Sequence, residues 1–174
     1  MVTLFCVASV FAQMGASGPD NYEALFKENL RRGTLNLSGK KIGDKGLAVL
    51  LQQEFLQDLK KIDLRYNGIS STGAKLLASA PAFAKLKTLI LKHNFLADEG
   101  AIALAKSRSF PKLKSLQLGW NEVRDAGALA LAESQNFPAL QKLDLRGNFL
   151  ASQTKDVLRA SFSHLKSLRI FQSE

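Results

Sequence analysis

The apolar positions of this chain alternate with a period of two, give way to a helical period, and then start again 27 residues later. The segments LKKIDLRYNGI, LKTLILKHNFL, LKSLQLGWNEV and LQKLDLRGNFL open at Leu59, Leu86, Leu113 and Leu140. Each fits LxxLxLxxNxL, with Ile or Val admitted at an apolar position. Thr34-Leu35-Asn36-Leu37 is a degenerate earlier copy with Lys40 in the Asn register, and Leu165 to Ile170 is a truncated later copy offset by two residues.

The remainder of the unit repeats as strictly. Asp44, Ser71, Asp98, Asp125 and Ser152 share one register, and their residue types predict helix N-caps. Two positions on stand Gly46, Gly73, Gly100 and Gly127, with Thr154 breaking the series. Leu50, Leu77, Leu104, Leu131 and Leu158 form an unbroken column beside the small Ala78, Ala105 and Ala132. Leu56, Phe83, Phe110 and Phe137 end the unit, and Pro111 and Pro138 follow where a helix must stop. The pattern predicts one short strand, a turn and one helix per unit. No unit can bury its leucines alone, so neighbours must stack.

These repeats resemble the leucine-rich-repeat family, specifically its ribonuclease-inhibitor-like class with a helical convex side. The run Asp125-Ala126-Gly127-Ala128-Leu129-Ala130-Leu131-Ala132 is similar to the Gly-Ala-Leu-Ala units of bacterial members. The resemblance covers roughly residues 33–171. It implies an α/β solenoid of about five to six 27-residue repeats, with a curved, parallel concave sheet and convex helices. It also implies binding of proteins or other macromolecules on the concave face without catalysis. The family's Asn, here Asn67, Asn94, Asn121 and Asn148, would form a ladder of side-chain bonds to turn backbone.

The expected organisation is a leader over 1–16, a capping helix over 17–32 and the repeat domain over 33–174. Met1 to Ala16 carry no charge, and Val2 to Ala12 form an apolar run of signal-peptide length, shorter than a membrane span. A small residue at Val10 and at Ala12 fits cleavage before Gln13, although no basic residue precedes Lys27. A buried N-terminal element that caps the domain is the other reading. From Pro19 to Arg32, Asp20 and Glu23 have capping-box spacing, and Tyr22, Leu25, Phe26 and Leu30 make one apolar stripe. At the far end, Lys166 and Arg169 on the last strand deter edge-to-edge pairing, so a monomer is favoured over a dimer built through Leu168 to Phe171.

Stacking turns registers into columns about 4.8 Å apart per step. The position before the Asn reads Gly39, Tyr66, His93, Trp120, Gly147. Around this ring column lie Arg65, Lys92 and Arg146, together with Asp63, Ile90, Gln117 and Asp144 two residues before them. Tyr, Trp and Arg are the types enriched at interface hot spots, so these ten residues are the candidate partner-binding set. Two readings stay open: the rings receive a partner, or they pack on one another and shield the strand-to-turn junction. Asp63 and Asp144 are placed to neutralise Arg65 and Arg146.

Composition narrows the rest. Twenty-four Lys and Arg against 15 Asp and Glu leave a net charge of +9, which favours an acidic partner. Much of the excess is one strand-start lysine copied from unit to unit: Lys60, Lys61, Lys85, Lys87, Lys112, Lys114, Lys142 and Lys166. As a stripe it would meet a polyanion such as acidic glycan, lipid head group or nucleic acid, though duplication alone accounts for it and nucleic acid is not favoured. One Cys and two His argue against a disulfide framework or a metal centre, and no cofactor is expected. His93 and His164 lie in different repeats, Cys6 falls in the leader, and no GxxxxGK[ST], GxGxxG or HExxH occurs. The function expected is therefore a non-catalytic protein-interaction module, exported to the periplasm, cell surface or medium. The alternatives are polyanion binding, or a cytoplasmic GTPase regulator similar to the Ran GTPase-activating proteins that share this repeat class.

Overall fold

The computed structural model describes residues 21–171, so the predicted leader, Cys6 and Asp20 lie outside the described residues. Helix α1 (Tyr22–Asn29) leads into a short strand β1 (Leu30–Arg31), and then strands and helices alternate. The strands are β2 (Thr34–Asn36), β3 (Lys61–Asp63), β4 (Thr88–Ile90), β5 (Ser115–Gln117), β6 (Lys142–Asp144) and β7 (Ser167–Arg169). The helices are α2 (Gly43–Leu50), α3 (Ser71–Ser79), α4 (Ala97–Lys106), α5 (Asp125–Glu133) and α6 (Ser152–Ser161). The sheet runs β1 to β7 in chain order, with β2 to β7 parallel and β1 turned back antiparallel on β2. This is the α/β leucine-rich-repeat solenoid.

The strict register explains the sheet. Leu35, Ile62, Leu89, Leu116, Leu143 and Leu168 are paired Cα to Cα, so one apolar column crosses all the parallel strands. These side chains point away from the concave face onto Leu50, Leu77, Leu104, Leu131 and Leu158 of the helices, and together they form the core. Phe83, Phe110 and Phe137 stack along its floor with centroids 5.2 and 6.3 Å apart. Below them, Ser107 and Ser109 donate to Ala78 O and Ala80 O, and Ser134 donates to Ala105 O.

At the N-terminal end, α1 is shorter than the Pro19–Arg32 stripe predicts. Leu30 and Arg31 leave the helix to pair with Leu35 and Thr34, which continues the sheet past its first parallel strand. The cap of α1 is Asn21, whose side chain accepts the Ala24 N–H at 2.9 Å.

The Asp register departs from its expected role as the cap of its own helix. Asp98 lies in the first turn of α4, yet its Oδ1 accepts the N–H groups of Arg124 and Gly127, both at 2.8 Å, at the start of α5. Likewise Asp44 accepts from Ser70 N at 2.9 Å, and Asp125 from Ala151 N at 2.9 Å. Each acid thus caps the helix of the following repeat. The glycines two positions on make room for it, since a Cβ at Gly127 would stand 2.6 Å from Asp98 Oδ1. Thr154 breaks that glycine series because its hydroxyl bonds Asp125, and this bond and the Ala151 N–H hold the Asp125 carboxyl below the usual range.

The asparagine ladder works in the opposite direction. Asn94 Oδ1 accepts Asn67 N and Ile69 N, both at 3.0 Å, and its amide donates to Leu64 O at 2.9 Å. Asn148 holds Asn121 N and Val123 N in the same way, both at 3.0 Å, and Asn67 receives Ile42 N at 3.2 Å. Two positions differ. Gly43 N donates to the Asn67 backbone carbonyl at 2.9 Å with φ +56°, and, where the acid register carries Ser71, Ala97 N donates to the Asn121 backbone carbonyl at 2.9 Å with φ +52°. At that same junction the buried Asn121 Oδ1 is left without a partner among the described residues.

Candidate functional site

The ring register sits immediately beyond the sheet. Gly39 N donates to Arg65 O, Tyr66 N to Lys92 O, His93 N to Gly119 O and Trp120 N to Arg146 O, at 2.8, 3.2, 3.0 and 2.8 Å. All five residues of this register adopt left-handed backbone: Gly39 φ +70°, Tyr66 +55°, His93 +54°, Trp120 +56° and Gly147 +68°. Glycine does so without strain, whereas a side chain there costs about 1–2 kcal/mol. Three consecutive ring residues therefore occupy positions that the fold alone would assign to glycine.

The rings form one stack. Tyr66 and His93 lie 4.2 Å apart at 11°, and His93 and Trp120 lie 4.7 Å apart at 11°. Trp120 in turn lies over Gly147, where a Cβ would fall 2.6 Å from its Cε2. Of the two sequence readings, mutual packing is thus present, yet it does not hide the column, because Tyr66 remains 54% exposed. Burial, with Lys92 and Arg65 nearby, holds the His93 imidazole below its ordinary pKa, so it is neutral at pH 7.

Beside the stack stand two residues that the sequence reading passed over. Phe95 and Phe149, each one position past the ladder Asn, are 59% and 62% exposed. Their N–H groups bond Ile69 O and Val123 O at 2.8 Å, which fixes an extended turn edge. With Tyr66, His93, Trp120 and Glu122 they line an open pocket of about 420 Å³. That register reads Lys41, Gly68, Phe95, Glu122, Phe149, so no residue type recurs often enough to mark it. Arg124 covers one face of Phe149 at 5.7 Å.

The cations predicted around the rings are present, but they are engaged. Arg65 holds Asp63 through Nε at 3.0 Å and a terminal nitrogen at 2.8 Å, and Arg146 holds Asp144 at the same distances. Lys92 reaches two repeats along to Asp144 Oδ2 at 2.8 Å, passing Gly119, and lies 5.6 Å from the Trp120 ring. Burial works to raise the Asp144 pKa, but hydrogen bonds from Arg146 and Lys92 outweigh it and hold the carboxyl below the usual range. Asp63, Ile90 and Asp144 are buried, so of the candidate set they support the site from beneath, while Gln117 is half-buried on the concave face. Gln117 belongs to a second open pocket of about 400 Å³ near the C-terminal strands, edged by Lys142, Lys166 and Arg169. Asn67, Asn94 and Asn121 are buried, and Asn148 is half-buried, in the ladder; of the four only Asn94 also lines a pocket, the one beside the rings.

The chain carries leucine-rich repeats: the Leucine Rich repeat family pattern matches residues 56–78, 84–105 and 111–132. No curated protein matches by sequence. Among solved structures the chain is similar to one titled Leiomodin-1 Actin-Binding Site 2, with a TM-score of 0.50 and 16% identity over 88% of this chain and 78% of that one. At that identity the likeness is one of fold. Repeat pattern, ladder register and structural likeness all agree on a leucine-rich-repeat solenoid.

Proposed function

We propose that this chain is a non-catalytic protein-interaction module that receives its partner along the turn edge formed by Tyr66, His93, Trp120, Phe95 and Phe149. The observation that carries the reading is the strained register. Three rings stand at left-handed positions where glycine is unstrained, and their edge adjoins two exposed phenylalanines. Strain retained against an easy alternative is a mark of use. The partner-facing surface is thereby shifted from the centre of the concave sheet to its rim. A photo-crosslinking residue at Phe149 or Phe95 should capture the partner from native host extract, one at Lys114 should not, and Trp120→Ala should abolish the capture. Equal capture from Lys114 would move the interface elsewhere.

A second reading keeps one specific observation. Lys60, Lys87, Lys114 and Lys166 stand exposed in one strand-start register, interrupted by Gln141, at the opposite end of the strands from the rings. With Arg65, Lys92 and Arg146 engaged, attraction for an acidic surface falls to this rim. Heparin affinity that collapses between low and high salt and ignores Trp120→Ala would favour it.

The ribonuclease-inhibitor-like subclass rests on the 27-residue unit and on convex helices of 8 to 10 residues. No helix among the described residues is long and apolar enough to cross a membrane. Export is proposed from the uncharged residues 1–16 alone, and the mass of the N-terminal peptide from the native host tests it. The leiomodin-1 structure carries actin binding in its title; what this chain shares with it is the fold.

A further inference from the structure

The ring stack has two unlike ends. Trp120 closes one by lying flat over Gly147, so every ring leans toward the following repeat. The same lean carries Tyr66 onto His93 and away from Gly39, around whose missing Cβ no atom of the described residues lies within 4 Å. Gly39 shares the register, with its N–H on Arg65 O at 2.8 Å and φ +70°, but supplies no ring. The outer face of Tyr66 is therefore an empty place in a series whose filled steps measure 4.2 and 4.7 Å. We propose that this place is a docking slot for an aromatic side chain of a partner peptide, one flanked by acidic residues.

This rests on the interaction reading above and names the chemistry it takes. A planar group of ring thickness fits a parallel stack, and offset stacking adds to the area it buries. A guanidinium is also planar, but the surroundings select against it. Lys40 and Lys41 follow Gly39 directly, both exposed and without an ion pair among the described residues, and Arg65 lies beside Tyr66. Those two lysines instead complement carboxylates on either side of the inserted ring. A nucleic acid base stacks equally well, but a strand needs successive ring faces and free cations along its backbone. Here one face is open, and Arg65, Lys92 and Arg146 are held by Asp63 and Asp144.

The test is a nuclear magnetic resonance titration of the full chain with the synthetic pentapeptide Glu-Asp-Phe-Asp-Glu, blocked at both ends. The Gly39 amide and the Tyr66 ring protons should shift saturably. A Leu-centred peptide should bind at least tenfold more weakly, and so should a Lys-flanked one. Gly39→Asn fills the slot with a residue that tolerates left-handed backbone, and Tyr66→Gly removes the platform. Both should abolish the shifts, while the remaining amides show the fold intact. Binding that survives Gly39→Asn, or that is equal for the Leu-centred peptide, overturns the slot, as does the absence of any saturable shift. Tighter binding of oligothymidylate to the same amides overturns it too. A captured partner that needs Trp120 and Phe149 but ignores Gly39→Asn overturns the slot alone. Indifference to all three changes overturns the interaction surface as well.

Discussion

Lys92 Nζ lies 2.8 Å from Asp144 Oδ2, two repeats away, because Gly119 stands between them without a side chain. Asp144 thereby joins Lys92 and Arg146 in one three-residue cluster beneath the rings, with the carboxylate side chain only 7% exposed. Removing the shared acceptor leaves two partly buried cations unpaired. Asp144→Ala should therefore lower the unfolding free energy by about 2–3 kcal/mol in urea. Asp156→Ala, which breaks the exposed Asp156–Arg159 pair, should change it by less than about 0.5 kcal/mol. Similar losses for both would show that the cluster contributes no more than a surface pair.

The same carboxyl sets an acid limit. Its folded pKa is held below the usual carboxylate value, so its contribution is fully present above about pH 4. It is lost as pH falls through the lower folded value. The stability difference between wild type and Asp144→Asn should accordingly be constant near neutrality and shrink below about pH 4. A difference that grows on acidification would reverse the assignment.

His93 titrates with the same sign in a different window. Burial and neighbouring cations lower its folded pKa, so the neutral imidazole belongs to the folded state. Stability should be full above about pH 6.5 and decline as pH falls through the depressed folded value. Because Trp120 is the only Trp and stacks on His93, its fluorescence should report that protonation. The transition should fall below about pH 6.5 and vanish in His93→Phe. An unshifted midpoint in a folded sample would contradict the burial of the ring.

Ser71 marks the junction where the acid clasp is missing and Ala97 takes φ +52°. Ser71→Asp should supply the cap seen at Ser70, Arg124 and Ala151 and raise stability by about 0.5–1.5 kcal/mol. Ala97→Gly should help in the wild type, where it relieves the left-handed Ala, but not in the Ser71→Asp background, where that residue becomes extended. Additive gains from the two changes in thermal unfolding would mean that clasp and backbone strain are unconnected.

For partner binding, Trp120→Ala together with Tyr66→Ala should weaken the captured complex by about 2–4 kcal/mol. Lys87→Glu with Lys114→Glu should alter only its salt dependence. Calorimetry at two ionic strengths separates the outcomes, and the converse pattern assigns binding to the lysine rim.

The solenoid was readable from residues because each register is copied: five leucines from Leu50 to Leu158 leave one packing solution. The ring column was readable for the same reason. Local rules failed where the partner lies a repeat away. Asp98 matches an N-cap by type, yet the N–H groups it accepts are 26 and 29 residues ahead, so a rule confined to its own helix assigns it wrongly. Lys92 reaching Asp144 depends on the absence of a side chain at Gly119, a feature that no single column displays. Phe95 and Phe149 share a register with Lys41, Gly68 and Glu122, so their place on the rim emerged only from the backbone around them.

Two junctions between repeats are tied from both sides, by an acid reaching forward and an asparagine oxygen reaching back: Asp44 with Asn67, and Asp125 with Asn148. A 27-residue copy inserted whole brings one of each, so lengthening the molecule by complete units keeps acids and asparagines in equal number. A partial copy would strand an acid on one side or a turn on the other. The 27-residue unit is thus the smallest increment by which this architecture can grow, and the Ser71 junction shows what a single lost tie leaves behind.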